Sequence, residues 1–466
     1  MAHNTAHNTT HIGHALGRRN FLRRAAWMTA ATGSPLAMNL LAMGAASAQT
    51  ASDHKALVCI YLSGGNDQSN TVVPVSGAAY ASYQQARPTL ALPASQLLAI
   101  NPTGYSGQPL GLHPAMTGLK ALFDQQRVAL LANVGPLSVP MTRAQWNNGS
   151  PTVQVPSQLT SHSDQQTAWQ TALSNAPSET GWLGRMGDLT ASAFNPGSGV
   201  SIAMSMAGNN IMQAGDSTIQ YQLTTQGAVK VQALSSLYGS AAGGLAMRRL
   251  MSDARSPLLE GELNKVSARA INTEALVTDA LASSGQATGT FPATGIGRQL
   301  QMVARMIAAR GALGQRRQIF YVMHGGYDFH DNLMTDHATK LKELSDAMAA
   351  FYQATAAQGV ANNVTTFTAS EFGRALQSNG RGSDHGWGGH HFIMGGAVAG
   401  NRVYGSFPTV AIGGPEDSGQ GRLIPTTSVD EYGATLARWF GVSDTNMGII
   451  MPNIGRFASR NLGFMG

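Results

Sequence analysis

Carboxylate and imidazole side chains are concentrated in one stretch of the sequence, between positions 371 and 391. This stretch contains Glu371, Asp384, His385, His390 and His391. Because ionised carboxylates are costly to bury beside apolar strands, such a cluster needs a compensating positive charge, which a divalent metal ion supplies most simply. The cluster therefore predicts half of a metal site. The plainer interpretation is a solvated, glycine-rich loop that carries scattered polar residues.

Apolar runs of strand length precede the acidic residues and must position them. Runs at 55–62, 318–323 and 364–368 are typical of strands that are covered on both faces in a parallel sheet. Asp67, Asp328 and Glu371 follow these runs through short turns. If the strands are parallel neighbours, the three carboxylates lie at one edge of the sheet, where open α/β folds bind ligands.

The order of elements also predicts the fold class. An amphipathic helix at 113–126 separates the first strand from another apolar strand at 127–134. This strand–helix–strand order predicts an α/β fold with a mainly parallel sheet. Between 205 and about 310 we expect a helical insertion that shapes access to the site, because helical patterns occur at 242–252, 258–283 and 296–310 and no histidine is present.

Histidines cluster in the same part of the chain as the carboxylates. Six of the nine histidines beyond residue 48 lie between His324 and His391, which favours a role as ligands. Cys59 is the only cysteine, so we expect neither an intrachain disulfide nor a cysteine-based metal centre. It is predicted to be a small buried hydrophobic residue. Any metal ion must therefore bind to oxygen and imidazole ligands.

A run of hydroxyl-bearing residues at 160–163 opens a predicted helix that continues through Trp169. Thr160, Ser161 and Ser163 are all plausible N-caps, and a capping role is the plainer interpretation. A helix N-terminus also stabilises an anion, and a hydroxyl there is placed to attack a phosphate or sulfate group. Both interpretations stay open on the residues alone.

The first 48 residues have the features of an export signal. Arginines at 18–19 precede Phe21-Leu22, a moderately apolar run and the small-residue pattern Ala-Ser-Ala at 46–48. This order resembles a twin-arginine signal, so we expect recognition by the twin-arginine export machinery and a periplasmic or secreted mature protein that starts near Gln49. The alternative is an N-terminal membrane anchor, which the glycine, proline and asparagine residues at 25–45 disfavour. We expect no permanent membrane span.

The basic charge lies mainly in this N-terminal segment. The formal net charge of the chain is +6, and residues 1–48 contain four arginines and no acidic residue, which leaves +2. No basic stripe interleaved with aromatic residues remains, so we expect no nucleic-acid binding. At 466 residues and 43% hydrophobic content, the chain can form one large α/β domain or two smaller ones.

Six stretches of the sequence between 57 and 400 carry a family resemblance. They are LVCIYLSGGNDQSNTVVP, SQLTSHSDQQTAW, GRQLQMVARMI, GGYDFH, TASEFGR and GSDHGWGGHHFIMGGAVAG. Together they resemble the exported DUF1501 family, a branch of the alkaline phosphatase and sulfatase superfamily. The resemblance implies one such domain over 49–466, with a central, mainly parallel sheet, helices on both faces and a metal site at the carboxyl ends of the strands. In characterised members of the superfamily, two divalent ions flank a serine, threonine or modified cysteine that attacks phosphorus or sulfur.

The resemblance also implies roles for particular residues. Its metal ligands would be Asp67, Asp328, His330, Glu371, Asp384 and His385. Glu371 stands where other members have an aspartate, whereas an alternative alignment makes Asp384-His385 the Asp-His pair of the superfamily. The implied cofactor is one or two divalent metal ions, of Zn, Ca, Mg or Mn.

The chain departs from the family pattern at three places. Asp328-x-His330 is more closely spaced than the common Asp-x-x-x-His, whose strict match falls on Asn332. Thr-Ser-His-Ser at 160–163 stands where Arg-Ser-His-Phe is frequent, and Gln68 replaces a frequent glycine. These departures favour one ion over two.

Two functions follow as hypotheses. The first is a periplasmic metal-dependent hydrolase that acts on phosphate or sulfate esters of a small molecule or polymer. Ser161 would attack, and His162 or Arg374 would assist the charged group. The second is a non-catalytic exported protein that keeps the sheet and one metal ion for binding or assembly.

Overall fold

Strand β1 (Lys55–Ser63) lies in the middle of the central sheet. A computed structural model describes residues 53–149, 153–285 and 289–466. The inner residues of β1 are buried because helices cover both faces, as the apolar run at 55–62 predicted. Residues 1–52 lie outside the described ranges, so the export signal stays a prediction.

The other strands range from two residues to the nine of β9. In chain order they are β2 (Val72–Pro74), β3 (Leu98–Ile100), β4 (Leu110–Leu112), β5 (Val128–Gly135), β6 (Ala203–Ser205), β7 (Tyr221–Thr224), β8 (Gly227–Ala228), β9 (Arg317–Gly325), β10 (Val364–Ala369), β11 (Arg374–Ser378), β12 (Ser383–His385), β13 (Gly389–Gly395), β14 (Val403–Tyr404) and β15 (Thr427–Ser428).

The helices connect these strands and form the outer layers. In chain order they are α1 (Gln68–Thr71), α2 (Gly77–Ala86), α3 (Thr117–Asp124), α4 (Arg143–Asn148), α5 (His162–Thr171), α6 (Trp182–Phe194), α7 (Ala241–Ser252), α8 (Leu258–Ser283), α9 (Gly295–Ala308), α10 (Leu333–Ala357), α11 (Val429–Phe440) and α12 (Met447–Ile450).

The central sheet is mainly parallel, as predicted. Its strand order is β14-β5-β13-β10-β1-β9-β6-β7-β8, and β1 runs parallel to both β10 and β9. The exceptions are β13, which lies antiparallel between β10 and β5, and β8 at the far edge. In register, Tyr61 pairs with Ala369 and Ser63 pairs with Gly325, so three strands end side by side.

Alternate side chains of β1 pack on opposite faces of the sheet. Val58 and Ile60 belong to a core that includes residues of α3, α9 and α10. Leu57, Cys59 and Tyr61 belong to a second core with residues of α5, α6 and α11. Each side chain of valine or leucine size stabilises the fold by about 1.5–3 kcal/mol when it is fully buried. Burial also raises the pKa of the Cys59 thiol well above its usual value.

The region predicted as a helical insertion is only partly helical. The helices expected at 242–252, 258–283 and 296–310 are present as α7, α8 and α9. The prediction missed β7 and β8, which extend the edge of the sheet. Nor is α9 peripheral, because Leu300 and Met306 are buried in the core beside α10. Among the described helices, none is long and apolar enough to cross a membrane.

Candidate metal centre

The carboxyl ends of β1, β9 and β10 meet at one edge of the sheet, as predicted. Gly64 follows β1 with a φ of +121°, and a Cβ atom there would lie 2.4 Å from the backbone nitrogen of Asp328. Only glycine tolerates both the left-handed backbone and this close approach. The Gly64 N–H donates to Oε1 of Glu371 at 2.7 Å. The turn after β1 therefore holds the turns after the other two strands together.

Three imidazoles surround the carboxylate of Asp328. The Nε2 atoms of His330 and His385 lie 3.0 and 3.1 Å from Oδ1, and Nε2 of His162 lies 3.5 Å from Oδ2. Ligand atoms of His162, Asp328 and His385 all lie within 4.8 Å of one another. The structure thus brings together two predicted metal ligands, Asp328 and His385, with His162, which had been expected to assist catalysis.

Hydrogen bonds at Nδ1 fix the tautomers of two of these rings. Nδ1 of His162 lies 3.0 Å from Oε1 of Glu371, and Nδ1 of His385 lies 2.7 Å from the carbonyl oxygen of Thr160. A carbonyl oxygen only accepts hydrogen bonds, and an ionised carboxylate does the same, so we assign the proton of each neutral ring to Nδ1. The Nε2 lone pairs then point at Asp328. Oxygen partners of this kind typically orient metal-ligating histidines.

His330 and Asp384 form the solvent side of the cluster. Nδ1 of His330 lies 3.5 Å from Oδ1 of Asp384, while its Nε2 lies 2.8 Å from Nε2 of His385. The side chains of His330, Asp328 and His162 are 46%, 45% and 40% exposed. The cluster is therefore open to solvent. Asp384 supports an imidazole and is not itself at the centre.

Arg374 is buried beneath Asp328. Its guanidinium donates to Oδ1 of Asp328 at 3.0 Å, to the carbonyl oxygen of Gly64 at 3.1 Å and to the carbonyl oxygen of Ser383. Burial opposes ionisation of Asp328, but the hydrogen bond from Arg374 holds the pKa of its carboxyl below the usual value. Because the Arg374 side chain has no exposed surface, the expectation that it holds the charged group of a substrate is corrected to a role in fixing Asp328.

The pKa values of His162 and His385 are shifted in opposite directions by their surroundings. The hydrogen bond to Glu371 raises the pKa of His162, whereas burial lowers the pKa of His385. Phe372 packs against both rings, with centroid distances of 5.0 Å to His162 and 4.5 Å to His385. Gly65 makes room for it, because a Cβ at that position would lie 2.3 Å from the phenyl ring. Phe372 was not among the predicted site residues, although its place directly after Glu371 was a signal.

Asp67 does not belong to the cluster. Both of its carboxylate oxygens accept hydrogen bonds from Arg87, at 2.5 and 2.8 Å, and Oδ1 also accepts from the N–H of Ser69 at the start of α1. Burial opposes its ionisation, but Arg87 holds the pKa of Asp67 below the usual value. Asp67 is therefore corrected from a metal ligand to a helix cap in a buried ion pair. Glu371 is likewise corrected, because its Oε1 contacts Nδ1 of His162, on the side of the ring away from Asp328.

Ser161 has the contacts of an N-cap. Its Oγ lies 2.5 Å from Oδ2 of Asp164 and 3.2 Å from Oγ of Ser163, and it accepts from the Asp164 N–H. These partners all lie in the first turn of α5. The plainer interpretation of the hydroxyl run, a capping segment, therefore describes its geometry.

His390 and His391 are core residues of β13. Nδ1 of His390 accepts from the N–H of Asn133, and Nδ1 of His391 lies 3.3 Å from Oγ1 of Thr368. Burial lowers the pKa of each imidazole to about 3. The presence of these two histidines in the cluster at 371–391 therefore reflects core packing and not metal binding.

The donor set at Asp328 suits a divalent cation. When His162 and His385 both donate at Nδ1, each Nε2 carries a lone pair and cannot donate a hydrogen bond to Asp328. A cation between the two nitrogens and the carboxylate would be attracted to all three groups. Two imidazoles and one carboxylate are a common set for a catalytic zinc site, which keeps one position open. Oδ1 and Oδ2 of Asp328, with Nε2 of His162 and His385, would hold the ion. His330 stands beside it.

Comparisons with known proteins identify a family and little more. The family model DUF1501, described as a protein of unknown function, matches residues 54–446. No curated protein matches the chain. Similar solved structures include Ps i-CgsB in complex with k-i-k-neocarrahexaose, with a TM-score of 0.32 and 8% identity over 88% of this chain and 77% of that chain. Another is the PsFucS1 sulfatase from Pseudoalteromonas sp., with a TM-score of 0.33 and 8% identity over 86% and 72% of the two chains.

Proposed function

This chain belongs to the DUF1501 family, and from its cluster we propose that it is an exported, metal-dependent hydrolase of phosphate or sulfate esters. The observation that carries the proposal is the convergence of Nε2 of His162 and His385 on Asp328, with both Nδ1 atoms held by oxygens. A divalent ion in this position supplies Lewis-acid stabilisation of the negative charge that develops on an ester group. The motif resemblance to the phosphatase and sulfatase superfamily supports the choice of ester.

The surrounding residues keep these three side chains in place. Glu371 and the Thr160 carbonyl orient the imidazoles, and Arg374 holds the Asp328 carboxylate by a hydrogen bond at 3.0 Å. A site that binds substrate must have such support, because small displacements of catalytic groups are costly. The exposed side of the cluster leaves room for an ester to approach.

We further propose that a water molecule attacks the ester in place of Ser161. The Ser161 hydroxyl is committed to Asp164 and Ser163 in the helix cap. His330 is half-exposed beside the cluster and is backed by Asp384, so its imidazole lies on the side from which water and an ester would approach. Residues 1–48 support export by the twin-arginine route and a periplasmic or secreted location.

A non-catalytic metal-binding protein is the second candidate. The observation that favours it is the burial of Arg374, which leaves the cluster without the guanidinium that was expected to hold the charged group. With Asp67 paired to Arg87, the remaining ligands suit one ion. Such a protein would bind metal with the same residues but would not turn over any ester.

Metal analysis combined with an ester screen tests both candidates. Protein purified without chelators should contain about one equivalent of a divalent metal and should hydrolyse at least one aryl phosphate, phosphodiester or aryl sulfate. Asp328→Asn should lose both properties. Asp331→Asn is the matched control, because Asp331 is an exposed carboxylate three positions further on that pairs with Arg381. Metal without turnover would favour the second candidate, and absence of metal would refute both.

A further inference from the structure

The helical hairpin formed by α7 and α8 exposes leucine side chains on both sides of its connection at 253–257. Leu250, Leu258 and Leu259 are 59%, 78% and 84% exposed, and further exposed leucines are Leu245 and Leu263. Single exposed leucines are ordinary on a protein surface, whereas contiguous exposed apolar residues mark an interaction surface, and these five lie on two helices that pack against each other. We call these five residues the leucine patch.

The leucine patch contributes little to the packing of the hairpin. The hairpin is joined to the rest of the fold by the C-terminal half of α8, where Val277, Ala280 and Leu281 are buried in the core. At the connection, Nδ2 of Asn264 donates to the carbonyl oxygens of Leu250 and Asp253. The tip is therefore held by a buried amide and presents its leucines outward.

Exposed arginines flank the leucine patch. Arg248, Arg249, Arg255 and Arg269 are exposed, and none forms an ion pair with any residue in the described ranges. With Lys265, the stretch from 245 to 269 contains five basic side chains. It also contains three acidic residues, at 253, 260 and 262, so its formal charge is +2. The four arginines have positive charge available for an anionic partner.

We propose that the leucine patch and its arginines dock the hairpin on an anionic lipid surface. Leucines inserted at the level of the headgroups gain hydrophobic free energy, while arginines pair with lipid phosphates. A second copy of the chain fits the surface less well, because a two-fold contact would bring together two copies of a stretch with the same net positive charge. A leucine that is 84% exposed projects from the surface, and a fluid bilayer accommodates such a side chain without a matching pocket.

Vesicle flotation with the full chain tests this inference. We expect binding to vesicles that contain phosphatidylglycerol and much weaker binding to pure phosphatidylcholine. Leu258→Glu combined with Leu259→Glu should weaken binding about tenfold or more, because two inserted side chains are lost. The control is Ile449→Glu, an exposed apolar residue of α12 on the opposite face of the sheet.

A second variant tests the charge without altering apolar packing. Arg249→Gln combined with Arg255→Gln should weaken binding to anionic vesicles about tenfold at low salt, against no change for the exposed Arg460→Gln. Residues 1–52 are identical in all variants, so a difference between them reports on the hairpin alone. Equal binding by the wild type and both hairpin variants, or equal binding to neutral and anionic vesicles, would overturn the proposal. A change from dimer to monomer in the leucine variant without any effect on vesicle binding would also overturn it and assign the patch to self-association.

Discussion

Nδ1 of His162 lies 3.0 Å from Oε1 of Glu371, although the two residues are 209 positions apart in the chain. His162 is the first residue of α5, and Glu371 follows β10. This hydrogen bond therefore ties the start of a helix to the edge of the sheet. It also leaves Nε2 of His162 free to face Asp328.

Removal of the Glu371 charge should weaken metal binding. In Glu371→Gln, the amide no longer holds His162 with a charged acceptor, and loss of such a partner typically costs 10–100-fold in metal affinity. The affinity is measured by competition with a chromophoric chelator on metal-free protein. Folding should persist because the side chain keeps its size.

The chain offers a matched control for this variant. Glu343 accepts a hydrogen bond from Nε2 of His324 at 2.9 Å, which is a second carboxylate–imidazole pair away from the cluster. Glu343→Gln should leave metal affinity within about twofold of the wild type. If both variants lost affinity to the same extent, the effect of Glu371 would be a general loss of stability.

Ser161→Ala distinguishes a cap from a nucleophile. Because the hydroxyl contacts only the first turn of α5, we expect ester hydrolysis to continue and the free energy of unfolding to fall by about 0.5–2 kcal/mol. Thermal melting and an activity assay on the same preparation measure the two effects. Ser163→Ala serves for comparison. Complete loss of activity with unchanged metal content would restore Ser161 as the nucleophile.

The ion pair between Asp67 and Arg87 should govern stability and not metal content. Both side chains are fully buried, and Asp67→Asn leaves the guanidinium without its charge partner. We expect a loss of about 3–5 kcal/mol of folding free energy, seen as a lower melting temperature, while the metal content of the folded fraction is unchanged. Asp444→Asn, which breaks the exposed pair with Arg438, should cost less than about 1 kcal/mol. Loss of metal from folded Asp67→Asn protein would show that Asp67 is a metal ligand, as the family resemblance implied.

Asp430 predicts a pH dependence of stability. Burial raises the pKa of its carboxyl to about 7, despite the hydrogen bond from the Asn453 N–H. The folded state therefore retains a proton that the unfolded state releases near pH 4, so this contribution to stability is complete below pH 4 and is lost as the pH rises through about 7.

An asparagine at position 430 removes this titration. We expect Asp430→Asn to melt at a higher temperature than the wild type at pH 8, and we expect this difference to shrink steadily as the pH falls from 7 towards 4. Asp124→Asn, at an exposed position, controls for the change in net charge. A difference between Asp430→Asn and the wild type that did not depend on pH would contradict the assignment.

The sequence predicted the sheet well because the strands are continuous apolar runs. The runs at 55–62, 318–323 and 364–368 are β1, β9 and β10, and their parallel register brings Asp328 and Glu371 to one edge. The antiparallel direction of β13 was not predictable in this way, since an apolar run carries no information on strand direction. The same limit applies to β7 and β8, which are too short for a periodic signal.

The site was harder to predict because its roles depend on partners that are distant in sequence. No sequence pattern around Asp67 indicates that its carboxylate pairs with Arg87, which lies 20 positions away. The acceptor that orients His385 is the backbone carbonyl of Thr160, which no side-chain pattern reveals. His390 resembled a ligand in sequence, but strand alternation and burial place it in the core.

The reactivity of Cys59 reports on the opening of the central sheet. The thiol lies at the centre of β1 with no exposed surface, and its raised pKa keeps it protonated. Because the thiolate is the reactive species, a thiol reagent can modify the chain only when the sheet separates at its middle strand. The rate of labelling by such a reagent therefore measures how often β1 separates from its neighbouring strands. Because Cys59 is the only cysteine, no probe has to be introduced for this measurement.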